Sequence, residues 1–201
     1  FNPKSGNTVM LAFDHGYIMG PTAGLERVDL VIPPLAPYVD VLMGTKGALR
    51  SCVPPTVPAA KCVRLTYDST VLYDDMSNGG GFACDMENAI RMNADCVAAQ
   101  TFIGAPGESR SLELLCRAAD AGARYGIPAL GVVAVGKQME RTERFFLLAT
   151  RVLAENGANI VKSYYCDGFE RVAAACPVPI VIAGGKKLPE LLNRLSELEG
   201  I

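Results

Sequence analysis

The stretch Glu140–Tyr165, ERTERFFLLATRVLAENGANIVKSYY, contains one complete structural repeat and decides how the rest is read. Its first part, Glu140–Asn156, puts Phe146, Ala149, Val152 and Leu153 on one face at helical spacing, and Gly157 stands where a helix C-cap belongs. Its second part, Asn159–Tyr165, is apolar almost without alternation, the pattern of a strand buried on both faces of a parallel sheet. A helix feeding such a strand is one full unit of an alternating β/α chain.

Six more runs of this kind occur: Thr8–Phe13, Val39–Gly44, Cys62–Tyr67, Cys96–Phe102, Ile127–Val135 and Pro179–Gly185. Their starts lie roughly 20 to 35 residues apart, the length of a β/α unit. Ser109–Tyr125 (SRSLELLCRAADAGARY) shows the helical period again, with Leu112, Leu115, Cys116 and Ala119 on one face. Seven parallel strands with intervening helices suit a TIM-type barrel or a doubly wound sheet, and units of similar length with nothing left over for a second domain favour the α/β TIM (β/α)8 barrel. The eighth strand is missing from this chain: after Gly185 comes one charged helical pattern, Glu190–Glu199. Residues 1–201 are thus expected to form a single (β/α) barrel domain, incomplete at both ends. The start Phe1-Asn2-Pro3-Lys4 has neither an initiator Met nor signal-peptide character and reads as a piece of a longer gene product.

Composition narrows the function classes. Of 201 residues, 50% are hydrophobic and 20% charged, which excludes a disordered chain. A net charge of −2 offers no basic surface to nucleic acid or anionic lipid, and no apolar run approaches the roughly 20 residues of a membrane span. Seven cysteines, Cys52, Cys62, Cys84, Cys96, Cys116, Cys166 and Cys176, show no CxxC pairing, and several sit in apolar runs. They are expected as reduced thiols in a cytoplasmic protein, and with a single histidine no metal site is expected.

Reactive groups of a parallel barrel sit at the carboxyl ends of its strands. The first run ends Phe13-Asp14-His15-Gly16, an acid and the sole histidine at a strand tip; either can move protons or orient an amine. In the sixth run Lys162 stands among Ile, Val and Tyr. An ammonium is seldom buried, and desolvation lowers its pKa so that a neutral amine can attack a carbonyl. The resulting imine withdraws electrons, so a neighbouring carbon–carbon bond can break. The seventh run ends Gly184-Gly185-Lys186-Lys187, where exposed backbone N–H groups and two cations suit a phosphate, although a plain glycine turn with solvated lysines has the same composition. Asp40, Lys46, Arg50 and Lys137 border strands and are left open between site and surface roles. The loop Ser77-Asn78-Gly79-Gly80-Gly81 matches no phosphate-loop spacing and reads as a turn before an N-cap at Asp85.

Taken in order, LAFDHG, NIVKSYY and PIVIAGGKKLP resemble the class I aldolases of the DhnA and bacterial-archaeal fructose-bisphosphate aldolase group, a similarity running from Phe1 to about Glu190. The resemblance implies a (β/α)8 barrel in a large homo-oligomer, with a decamer as one form. It makes Lys162 the Schiff-base lysine, Asp14 the acid that contacts it with His15 alongside, and Gly184 and Gly185 the phosphate turn with Lys186 or Lys187 near. For the thiolase branch of the group it further implies coenzyme A as co-substrate, taking an acetyl group from a phosphorylated diketone and leaving dihydroxyacetone phosphate; no bound cofactor is implied. The aldolases of the group carry a proton-donating tyrosine after the fifth strand, where this chain reads Gly131-Val132-Val133-Ala134-Val135-Gly136. That departure favours the thiolase branch over a fructose-bisphosphate-type aldolase. A non-catalytic phosphometabolite-binding barrel is the remaining alternative.

Overall fold

The computed structural model describes residues 5–73, 80–134 and 141–184. Among the described residues nine strands appear in chain order: β1 (Met10–Ala12), β2 (Val41–Thr45), β3 (Ala60–Arg64), β4 (Thr66–Tyr67), β5 (Gly81–Phe82), β6 (Cys96–Thr101), β7 (Ala129–Val133), β8 (Ile160–Tyr164) and β9 (Ile180–Ala183). The helices are α1 (Gly16–Met19), α2 (Val28–Leu35), α3 (Lys46–Cys52), α4 (Met86–Arg91), α5 (Glu108–Tyr125), α6 (Glu143–Glu155) and α7 (Phe169–Ala175). Seven strands form one sheet in the order β1-β2-β3-β6-β7-β8-β9, every neighbouring pair parallel. Each of the seven expected runs supplies one of these strands. The third run continues past β3 into β4, which pairs antiparallel with β5 as a small separate ribbon.

The sheet is rolled. β2 and β8 lie four strand spacings apart, about 19 Å in a flat sheet, yet Lys162 Nζ on β8 is 3.8 Å from Met43 Sδ on β2. Rolling separates the core into two layers. Met43, Cys62, Cys96, Ala98, Leu130 and Val132 pack together on the inner face, with Met10, Ala12, Val41 and Ile160 against them. The alternate residues Leu42, Val63, Val97, Ala99, Ala129, Val133 and Val161 face outward onto Leu115, Ala118, Phe146, Ala149, Leu153 and Val172 of the helices. Both faces of the central strands are therefore dry, while β1 and β9 are half-buried throughout, and the runs lack the polar alternation of a half-exposed sheet.

Two helix faces are rotated slightly from the expected stripe. In α5 the buried residues are Ser111, Leu114, Leu115, Ala118 and Gly122, whereas Leu112, Cys116 and Ala119 are half-buried. Ser111 is drawn inward because its hydroxyl accepts from Phe102 N at 3.0 Å and donates to Glu108 O at 2.9 Å. In α6 Phe146, Ala149 and Leu153 are buried as expected, and Thr150 replaces Val152, its hydroxyl bonded to Phe146 O at 2.8 Å. Asp85 caps α4 as expected, accepting from Asn88 N at 2.7 Å. Gly157, one residue past the α6 cap Asn156, adopts φ +99°.

Gly122 sits where α5 turns back toward β7, and a Cβ there would lie 2.3 Å from Ile127 O. Alanine has the better helix propensity by about 1 kcal/mol, but the neighbour is backbone and cannot swing away. Gly122→Ala is therefore expected to destabilise the protein by about 1–3 kcal/mol, read as a lower midpoint in urea unfolding.

The seven cysteines are all free thiols, four of them buried (Cys62, Cys84, Cys96, Cys166) and three half-buried.

Candidate active site

β1 ends two residues before Asp14, β3 ends on Arg64, and Lys162 is the middle residue of β8. Inward alternation sends Arg64 to the same side as Cys62, and rolling brings Lys162 across toward β1 and β2. Asp14 and Arg64 are each 4% exposed. Arg64 Nε donates to Asp14 Oδ2 in a buried ion pair. Burial alone would raise the Asp14 pKa, but the Arg64 charge, then that of Lys162, hold the carboxyl below its ordinary range. Arg64 is pushed in the opposite direction by burial, and the Asp14 charge more than offsets this, so the guanidinium stays charged.

Lys162 is half-buried. Desolvation is the largest influence on its amine and lowers its pKa; the Asp14 carboxylate acts against that shift and the Arg64 cation acts with it. The only hydrogen-bond acceptor within range among the described residues is the Met43 thioether, a weak one. A lysine without a strong partner, beside a cation and in a dry setting, is biased toward the neutral nucleophile.

The surroundings of this trio include residues that pattern reading passed over. The Tyr17 ring lies under Arg64, with Cζ 5.0 Å from the ring centroid. Its hydroxyl donates to Gln100 Oε1 at 3.1 Å, and burial pushes its pKa up to about 12, so the phenol remains protonated. Gln100 N in turn donates to Thr66 Oγ1 at 3.1 Å. Arg64 was legible by the logic that identified Lys162, a cation inside an apolar run, Cys62-Val63-Arg64-Leu65. Tyr17 and Gln100 carry no such signal.

The other candidates separate. His15 Nε2 lies 3.0 Å from Thr22 Oγ1, so among the described residues its hydrogen-bond partner is Thr22 and not Lys162. Gly184 directly follows β9, whose Ala183 pairs with Tyr164, and so stands at the same end of the sheet as the trio. Gly185, Lys186 and Lys187 lie outside the described residues, as do Lys137 and the Glu190–Glu199 pattern. Asp40 belongs to the opposite, amino end, where its carboxylate accepts from Val9 N at 2.9 Å. Lys46 opens α3 behind the Thr45 N-cap, and Arg50 is exposed in its last turn. Arg141 stacks on Tyr164 at 4.3 Å from the ring centroid, adding a cation at the carboxyl end of β8.

Residues 8–197 match the family profile described as DeoC/LacD family aldolase. A 3-hydroxy-5-phosphonooxypentane-2,4-dione thiolase of Photorhabdus laumondii subsp. laumondii is 54% identical over 191 residues, which is 94% of this chain and 65% of that protein. The protein of the same name from Escherichia coli O139:H28 is 53% identical over the same shares. The chain thus spans 65% of the length of these curated relatives. Among solved structures, an archaeal fructose-1,6-bisphosphate aldolase with its catalytic Lys covalently bound to a carbinolamine intermediate superposes with a TM-score of 0.83 at 20% identity, over 96% of this chain and 82% of that one. At that identity the likeness concerns the fold, and it agrees with a (β/α) barrel of which the described residues form seven strands.

Proposed function

The chain belongs to the DeoC/LacD family of aldolases, and from that premise we propose that Lys162 condenses with the ketone of a phosphorylated substrate and that the imine drives cleavage of the adjacent carbon–carbon bond. The observation that carries this reading is a half-buried lysine whose amine is held toward its neutral form beside the buried Asp14–Arg64 pair. The amine adds to the carbonyl and water leaves, giving an iminium. The ionised Asp14 carboxylate balances the positive charge as it forms. In the thiolase form of the reaction, the thiol of coenzyme A adds to the neighbouring acetyl carbonyl. The bond from that carbon to the hydroxyl-bearing carbon breaks, its electron pair runs into the iminium to give an enamine, and the acetyl group departs as a thioester. Protonation and hydrolysis return the amine and release dihydroxyacetone phosphate.

Two points support acetyl transfer from 3-hydroxy-5-phosphonooxypentane-2,4-dione over a fructose-bisphosphate-type cleavage. Relatives more than half identical to the chain carry that thiolase name, and Gly131–Gly136 contains no tyrosine to serve as the aldolase proton donor. The same proposal makes Gly184, with Gly185, Lys186 and Lys187, the phosphate turn, and gives His15 a supporting place beside Asp14. It takes coenzyme A as a co-substrate with no resident cofactor, and the protein as a cytoplasmic homo-oligomer. Among the described residues no helix is long and apolar enough to cross a membrane.

Products decide between the readings. The full-length protein supplied with the phosphorylated diketone is expected to form acetyl-CoA mole for mole with CoA consumed. Triose phosphate from fructose bisphosphate without CoA would replace the thiolase by an aldolase, and absence of both would leave only a binding barrel.

A further inference from the structure

Arg64 Nη1 is buried and has no hydrogen-bond partner among the described residues. The rest of the guanidinium is fixed. Nε holds Asp14, and the plane rests over the Tyr17 ring, which Gln100 anchors through the phenol. A buried charged donor without an acceptor costs free energy, and proteins keep such groups chiefly where a ligand or water completes them. Lys162 Nζ lies 3.8 Å from Met43 Sδ, and Met43 pairs in register with Cys62, two residues before Arg64 on the same inward alternation of β3, so the unfilled donor belongs to the neighbourhood of the reacting amine.

We propose that Arg64 is a substrate-binding residue that uses its fork on two partners: Nε orients Asp14, and Nη1 holds the hydroxyl on the carbon next to the imine carbon. The assignment rests on the Schiff-base reading of Lys162 and adds the feature of the substrate that the site selects, an α-hydroxy ketone. The planar guanidinium suits this task because it presents separate donors at fixed angles, which one ammonium cannot do. Holding that hydroxyl also fixes rotation about the bond joining it to the imine carbon, placing the bond to be broken for overlap with the imine.

The test compares two phosphorylated ketones on the full-length protein. Dihydroxyacetone phosphate carries the hydroxyl beside its carbonyl, and hydroxyacetone phosphate with a methyl group in that place does not. For each, the concentration giving half-maximal borohydride-trapped Lys162 adduct is measured by mass spectrometry. In the wild type the ratio of the two concentrations is expected to favour the hydroxy ketone on the order of tenfold, and in Arg64→Lys the ratio should fall toward one. If Arg64 merely supported Asp14, the variant would trap both ketones less well and keep the wild-type ratio, which overturns the proposal. Should Arg64→Lys be recovered unfolded, the wild type alone decides, because equal trapping of the two ketones removes the hydroxyl preference. No adduct with either ketone in the wild type would instead overturn the Schiff-base reading, and the Arg64 assignment with it.

Discussion

Lys162→Ala is expected to reduce turnover by at least on the order of a thousandfold while leaving the protein as stable as before or more so. The two halves of that expectation share one cause. In the proposed reaction the amine is the group that forms the covalent bond, so nothing nearby can substitute for it. Yet its folded pKa lies below its unfolded one, with burial as the chief reason. Between those two values the unfolded chain binds more protons, so Lys162 opposes folding at neutral pH, and stability gained at this position rises as pH climbs through the window. Removing the amine removes that opposition. A loss of activity accompanied by a matching loss of stability would point to a structural lysine instead. Thermal unfolding and turnover of the same preparation separate the two.

Asp14→Asn carries the second large effect, and here stability and chemistry both move. The substitution leaves the Arg64 guanidinium buried and charged without its counterion, a change expected to cost about 3–5 kcal/mol. Because the Asp14 carboxyl sits below its ordinary range, its contribution is present above the unfolded carboxylate pKa and lost as the pH falls through the folded value. Wild type and variant should therefore converge in stability in acid and diverge toward neutrality. The chemical consequence has the opposite appearance. Asp14 raises the Lys162 pKa, so its neutralisation lets burial and Arg64 depress the amine further. The pH at which adduct formation reaches half its maximum should move down in the variant, even as the overall rate falls because the iminium has lost its balancing charge. An unchanged midpoint would mean that Asp14 does not act on Lys162.

The barrel was legible because rolling the sheet leaves a simple trace in the sequence. With one strand face on the inner cluster of Met43, Cys62 and Leu130 and the other on the helices, no strand can tolerate regular polar alternation. Lys162 stood out against that background for the same reason. Arg64 offered the same contrast in Cys62-Val63-Arg64-Leu65, but its meaning depends on Asp14, fifty residues earlier, being carried to it by the curvature. Pairing of that kind is a product of tertiary structure and leaves no local pattern. Tyr17 and Gln100 are ordinary residue types whose role arises only where a ring happens to lie beneath a guanidinium. His15, next to Asp14 in the chain, was a candidate by adjacency alone, and its hydrogen bond to Thr22, seven residues on, leaves no trace in the local pattern. The helix stripes drifted for a related reason, since Ser111 and Thr150 satisfy their hydroxyls on local backbone and can then be buried like apolar residues.

Peptide mapping after borohydride reduction in the presence of dihydroxyacetone phosphate addresses the amine most directly. The reduced adduct should fall on the peptide containing Lys162 and on no other lysine. Modification of a different lysine, with Lys162 unaltered, would contradict the account.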